Sequence, residues 1–304
     1  MSFAPVACLL TAGALLVPAA PAAGQSYPFS RPLDARAARV LVVDTTRGRV
    51  EVIATDGSPV IEGVATVRLG WNVPADAPAL ARAAAETPPI ALADGEVRLT
   101  YPADRRPRES VIFHWRVSVP PTMAVRVQTA SGEVTLAGLG APARVSSGSG
   151  AVSARGLRGG IDVDGRSGSV ELVRITGDVG VRTDSGAVHV GMDGAGAVAV
   201  TTRSSSIEVD GAASGVRATS GSGAVSVAGT PAADWFLETR SSRIVLAPRG
   251  APFRLDLRSR SGRVSSGRPG EESAPHAVVD GQDAAGALIT ARSGSGAIDV
   301  RSAS

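Results

Sequence analysis

The chain has 304 residues, 43% of them apolar but only 3% aromatic, so any core must be built from Val, Ile, Leu and Ala. The formal charge is +3; every basic residue is Arg, and these are interleaved with Asp and Glu along the whole length. That pattern excludes the dense basic tract with aromatic interleaving used by many nucleic-acid binders, and the single cysteine, Cys8, excludes a disulfide framework.

Residues 1–24 read as an export signal. Val6 to Val17 is mostly apolar, and Ala19-Ala20-Pro21-Ala22-Ala23-Gly24 offers small residues for cleavage. The usual positive leader is missing, since the first basic residue is Arg31. Cys8 has only seven residues ahead of it, so lipidation is not expected, and the mature chain would carry no thiol.

Residues 34–128 read as an N-terminal β section. Arg39 to Val43 and Arg49 to Ile53 are strand-like and join through Thr45-Thr46-Arg47-Gly48. Val60 to Leu69, Glu96 to Tyr101 and Val111 to Val119 alternate apolar and polar residues, as half-buried strands do. Ala75 to Glu86 is Ala-rich, and Asp76 stands where a helix N-cap would be. The expectation is an antiparallel sheet with one short helix.

From residue 129 to 304 one phrase returns: Thr/Ser, any residue, Ser, Gly, any residue, Val/Ile, any residue, Val/Leu. It begins at Thr129, Ser147, Gly165, Thr183, Thr202, Ser220, Thr239, Ser259 and Ser293. From Gly132 to Gly262 its central position recurs every 18 to 20 residues, with Ser205 and Ser242 replacing two glycines. The Thr45 to Val52 segment is a degenerate copy. A fixed period of this kind marks a repeat architecture, whose units bury their apolar faces only by stacking. Each unit holds two short alternating segments with a Ser-Gly turn between them, where glycine can take dihedrals closed to other residues. The predicted fold is all-β: a right-handed-type β-solenoid, or β-helix-like array, of two-strand coils spaced about 4.8 Å apart. One inward ladder runs Val134, Val152, Val170, Val188, Ile207, Val225, Ile244, Val264. A second holds Thr129, Ser147, Thr183, Thr202, Ser220, Thr239 and Ser259, whose hydroxyls can bond along the stack or to turn backbone. Residues 267–286 break the period and read as a loop excursion, after which a last coil closes the far end.

Catalytic patterns do not survive alignment of the copies. Asp184-Ser185-Gly186 resembles the aspartic-protease triplet, but that chemistry needs two facing carboxylates, and the other copies hold Ala, Gly or Arg in the Asp184 slot. There is no Gly-x-Ser-x-Gly, no Walker motif and no complete Gly-x-Gly-x-x-Gly. Gly159-Gly160-Ile161-Asp162 is only a fragment of a calcium-binding solenoid phrase. No catalytic residue, cofactor or metal is therefore assigned. Two outward rows remain as a possible recognition ladder. Arg166, Asp184 and Arg203 share one slot; Glu171, His189 and Glu208 share another. A histidine flanked by carboxylates has weak metal-binding capacity, but the plain reading is a solvated charge ladder.

The repeated phrase, the strands around Thr46-Arg47-Gly48, the Val117-Ser118-Val119-Pro120 lead into the first coil and the late interruption together resemble the DUF4097 β-strand-repeat family, often labelled adhesins. The resemblance spans residues 38 to 302. It implies an envelope-associated bacterial solenoid and carries over no catalytic residue. The functional expectation is a non-enzymatic exported protein, at the cell surface, in the periplasm or outside the cell. It would act as an adhesin or envelope scaffold whose partner is a surface glycan, an envelope component or a protein. No nucleic acid and no transmembrane anchor are expected. The alternatives are a polysaccharide-active β-helix enzyme and a periplasmic module that binds a ligand or peptide by edge pairing.

Overall fold

The computed structural model describes residues 25–34, 38–68, 73–250, 252–265 and 286–301. The expected signal at 1–24 and the loop at 267–285 lie outside them. Strands make up 53% of the chain and helices 6%. Two sheets of 13 and 12 strands run the length of a flattened rod.

Each coil gives one strand to each sheet. In chain order the coils are 1 (Val40–Thr45, Val50–Ala54), 2 (Glu96–Leu99, Val111–Val119), 3 (Ala124–Thr129, Val134–Ala137) and 4 (Ala143–Ser147, Val152–Arg155). Coils 5 (Ile161–Gly165, Val170–Ile175), 6 (Val179–Thr183, Val188–Met192), 7 (Val198–Thr202, Ile207–Ala212) and 8 (Val216–Ser220, Val225–Gly229) follow. The last are 9 (Trp235–Thr239, Ile244–Pro248), 10 (Phe253–Ser259, Val264–Ser265) and 11 (Ala287–Ser293, Ile298–Val300). All neighbouring coils pair in parallel. At the usual strand spacing the stack is about 50 Å long.

The spatial order departs from chain order at both ends. Coil 1 lies between coils 2 and 3, and coil 11 lies between coils 9 and 10. The expectation that the last coil closes the far end is thus corrected: coil 10 closes it, and coil 11 is buried one layer in. The inward residues supply a reason. Leu237, Ala291 and Leu257 face one another in coils 9, 11 and 10, all fully buried. Large, small, large fills the layer; stacking coil 10 directly on coil 9 would set Leu257 against Leu237, and overpacking of that kind is unfavourable.

The near end is closed by segments outside the repeat. Strand Ser26–Pro32 pairs antiparallel with Val60–Val67, which pairs antiparallel with the second strand of coil 2. Ile90–Ala93 forms a hairpin with the first strand of coil 2. Pro28 and Pro32 on one edge strand, and Arg254, Asp256 and Arg258 on the far one, discourage addition of further strands. Phe29 packs edge-on to Phe113 and Trp115, and its ring fills the place a side chain at Gly63 would take.

Helix α1, Ala77–Glu86, buries Ala77, Ala81 and Ala85. Asp76 occupies the N-cap position but makes no cap hydrogen bond; its Oδ2 pairs with Arg106 Nη2 at 2.8 Å. A second helix, α2 at Arg105–Ser110, was not expected. It has no apolar stripe, and an Arg105–Glu109 pair at 2.8 Å spans one turn.

Both inward ladders form. Every member from Val134 to Val264 is buried, and each such side chain contributes roughly 1.5–3 kcal/mol. The hydroxyl ladder is a corner device. Thr129, Ser147, Ser220, Ser259 and Ser293 each accept the main-chain N–H of the glycine three residues on, at 2.8–3.1 Å. Several also donate to the neighbouring coil: Ser220 to Ser205 O at 3.0 Å, Thr239 to Gly223 O at 3.1 Å and Ser293 to Ser242 O at 3.2 Å. Thr202 differs. Its buried hydroxyl has no partner, and the corner residue Ser205 turns its own hydroxyl to Gly186 N. Ser220→Ala is therefore expected to lower stability by about 1–3 kcal/mol, because it strands two buried polar groups, whereas Thr202→Val should be neutral or slightly stabilising. Urea melts of the two variants decide this; equal losses would refute the assignment.

The glycine of the Ser-Gly turn has a different role from the one its sequence suggests. Of the seven central glycines only Gly186, at φ +133°, lies in the left-handed region. What excludes a side chain is the next coil. A Cβ on Gly150 would sit 1.7 Å from Gly132 O, and one on Gly132 would sit 2.0 Å from Gly48 O. Left-handed glycines cluster at the opposite corner instead, as at Gly138, Gly156 and Gly177.

Candidate functional site

With the inner wall fixed by packing, chemistry can vary only on the outward positions of the two sheets and at the corners. The sequence-derived rows fall on two such surfaces. Arg166, Asp184 and Arg203 sit on the Ser-Gly corner, where Ser185 N bonds Arg166 O at 2.9 Å and Ser204 N bonds Asp184 O at 3.1 Å. Arg203 Nη2 reaches Asp184 Oδ1 at 3.2 Å. Both side chains are largely in water, so the pair contributes little to stability.

Glu171, His189 and Glu208 are brought together on the outer face of the 13-stranded sheet, as directly opposed residues in coils 5, 6 and 7. His189 Nδ1 lies 3.4 Å from Glu208 Oε2. The slot alignment missed Asp210, which alternation places on the same face two residues beyond Glu208. It stands opposite Gly191, so no side chain fills the space between it and His189. Donor atoms of His189, Glu208 and Asp210 all lie within 4.8 Å of one another. Next to the group this face carries short side chains such as Thr135, Ser153, Ser226 and Ala228, and towards the near end longer ones such as Glu51, Arg116 and Arg155.

The 12-stranded face is richer in arginine. Arg126, Arg144, Arg182, Arg217 and Arg292 point outward, and Arg144 pairs with Asp162 at 3.1 Å. Phe236, half-buried, lies under two guanidinium groups: Arg217 at 4.7 Å and Arg292 at 5.8 Å from the ring centre. Cation–π contacts of this type hold long side chains against the sheet. Trp235, one position earlier, points inward and is buried, its Nε1 donating to Ser214 O at 2.8 Å.

His114, on the outer face of coil 2, accepts the Arg49 main-chain N–H at Nδ1 over 3.2 Å. Partial burial and the nearby Arg49 charge lower its pKa below the ordinary imidazole value, which favours the neutral ring. An open hollow of about 490 Å³ lies near the same end, by Leu33, Thr55, Asp56 and Pro120–Pro121; no arginine or histidine lines it. Among the described residues, no helix is long and apolar enough to cross a membrane.

The geometry defines a two-sheet β-solenoid whose variable residues lie outside. A family model, Toastrack DUF4097, matches residues 117–301, and the chain belongs to that family. A similar solved structure is that of a candidate cell adhesion protein from Clostridium sporogenes ATCC 15579; it is 10% identical, covers 92% of this chain and 100% of its own, and has a TM-score of 0.24. No curated protein matches the chain.

Proposed function

We propose that this is a non-enzymatic, exported repeat protein that presents a flat sheet face for adhesion or for cell-envelope scaffolding. One observation carries the reading. Inward positions repeat the same residue types from coil to coil, while outward ones carry different chemistry in each coil on two long, flat, solvent-facing sheets. A rod of this shape offers many shallow contacts in register rather than one deep site. Export is supported by the apolar stretch and small-residue run within residues 1–24.

The favoured contact surface is the 12-stranded face, because arginines and an arginine-covered aromatic suit acidic glycans or carboxylate-bearing polymers. A glycan and matrix-protein array probed with residues 26–304 tests this. The expected result is binding to acidic glycans that weakens about tenfold in Phe236→Ala and Arg217→Ala, each removing one anchoring contact. Binding to nothing, with concentration-dependent self-association, would sink adhesion and leave scaffolding. Turnover of a polysaccharide on the same array would overturn the non-enzymatic reading.

A further inference from the structure

We infer that His189, Glu208 and Asp210 form a binding site for a divalent transition-metal ion of the zinc type, on the outer face of the 13-stranded sheet. One imidazole nitrogen and two carboxylate oxygens are a borderline donor set that suits zinc better than calcium, which prefers oxygen ligands alone. The donor atoms lie within 4.8 Å of one another. A tetrahedral ion with ligand bonds near 2.0–2.2 Å needs them about 3.3 Å apart. The difference is within the reach of side-chain rotation, and the empty space above Gly191 gives Asp210 room to turn.

Two further features favour a cation here. The donors stand on neighbouring parallel strands in the middle of the stack, where His189 opposes Glu208 and Gly191 opposes Asp210 in register, so the backbone already fixes their spacing; the ladder to coil 8 breaks register at Asp210. The charge is also uncompensated. Several outward acids on this rod take arginine partners, as Asp162 does with Arg144, Asp184 with Arg203 and Asp299 with Arg243, while Asp164 and Glu238 do not among the described residues. Among the described residues no arginine pairs with Glu171, Glu208 or Asp210, although arginine is abundant in the chain. Two carboxylates thus gather around one imidazole, with Glu171 on the adjoining strand, in a protein with a net positive charge. Three protein ligands leave one position of a four-coordinate ion open to water or to a carboxylate or hydroxyl of a partner.

The test is metal titration of the full chain by calorimetry, with cobalt absorption as a report on geometry. The site predicts one zinc ion per chain, a visible cobalt band typical of four-coordination, and perturbed His189 ring resonances in NMR. His189→Gln and Asp210→Asn should each weaken zinc at least about tenfold, the usual effect of losing a metal-site contact. Asp162→Asn, on the opposite sheet, should change nothing. Glu208 and Asp210 are exposed and His189 is half-buried on the outer face, outside the core, so folding is not at stake. Zinc binding untouched by both site substitutions, no zinc binding up to millimolar concentration, or calcium binding as tight as zinc would each overturn the proposal.

Discussion

Gly150→Ala is expected to be among the most destabilising single-methyl substitutions in the array, at about 3 kcal/mol or more. Gly150 has ordinary backbone dihedrals, so by local rules alanine is acceptable there. The obstacle is the neighbouring coil: the new Cβ would lie 1.7 Å from Gly132 O and 2.5 Å from Gly132 C. Backbone cannot rotate aside as a side chain can. The corner must open, and the hydrogen bond from Gly150 N to Ser147 Oγ goes with it. Gly156→Ala is the matched control. Gly156 is left-handed, at φ +65°, but nothing lies within 4 Å of its Cβ position. Its cost is the dihedral alone, roughly 1–2 kcal/mol. Chemical denaturation of both variants should rank Gly150→Ala well below Gly156→Ala. The reverse order would mean that dihedral freedom, not close approach, explains the Ser-Gly phrase.

That contrast also marks how far the sequence could be read. Period 2 on either side of each Ser-Gly was enough to assign two strands per coil and to name both inward ladders, because burial of one face leaves a direct trace in residue type. The degenerate coil around Thr46-Arg47-Gly48 was legible for the same reason. The role of the glycine was not, since a dihedral requirement and a steric one select the same residue. Helix α2 was missed because its six residues carry no apolar stripe. Strand Ser26–Pro32 was missed because two prolines argue against a strand everywhere except at an edge. At the outward patch, copy alignment found the row Glu171, His189, Glu208 but not Asp210, which joins it diagonally through space left open by Gly191. The order of coils at the ends was hidden most deeply. Every coil carries nearly the same phrase, so the phrase cannot say which coil lies beside which. Only the sizes of the inward residues distinguish them.

Removal of coil 11 turns that last point into an experiment. A chain ending at Ser265 loses Ile289, Ile298 and Val300 from the core, about 5–9 kcal/mol of burial at 1.5–3 kcal/mol each. It also leaves coil 10 without a neighbour. Coil 10 could in principle slide onto coil 9, since both pair with coil 11 in the same register: Trp235 and Leu255 each oppose Ile289, and Leu237 and Leu257 each oppose Ala291. Direct docking would press Leu257 on Leu237, in a column that now runs large, small, large through Ala291, and would set Leu255 on Trp235 in place of Ile289. The expected result is that coil 10 stays undocked, that amides of residues 253–265 exchange rapidly, and that the free strands of coil 9 drive self-association seen by light scattering. Adding Leu257→Ala to the shortened chain restores the small residue opposite Leu237. It should return exchange protection to 253–265 and reduce association, although it deletes a buried side chain and would destabilise the full-length protein by about 2–5 kcal/mol. A shortened chain that keeps coil 10 protected without that substitution would show that residue size does not set the coil order. One whose protection Leu257→Ala fails to restore would place the cause elsewhere, in the connection between coils 10 and 11.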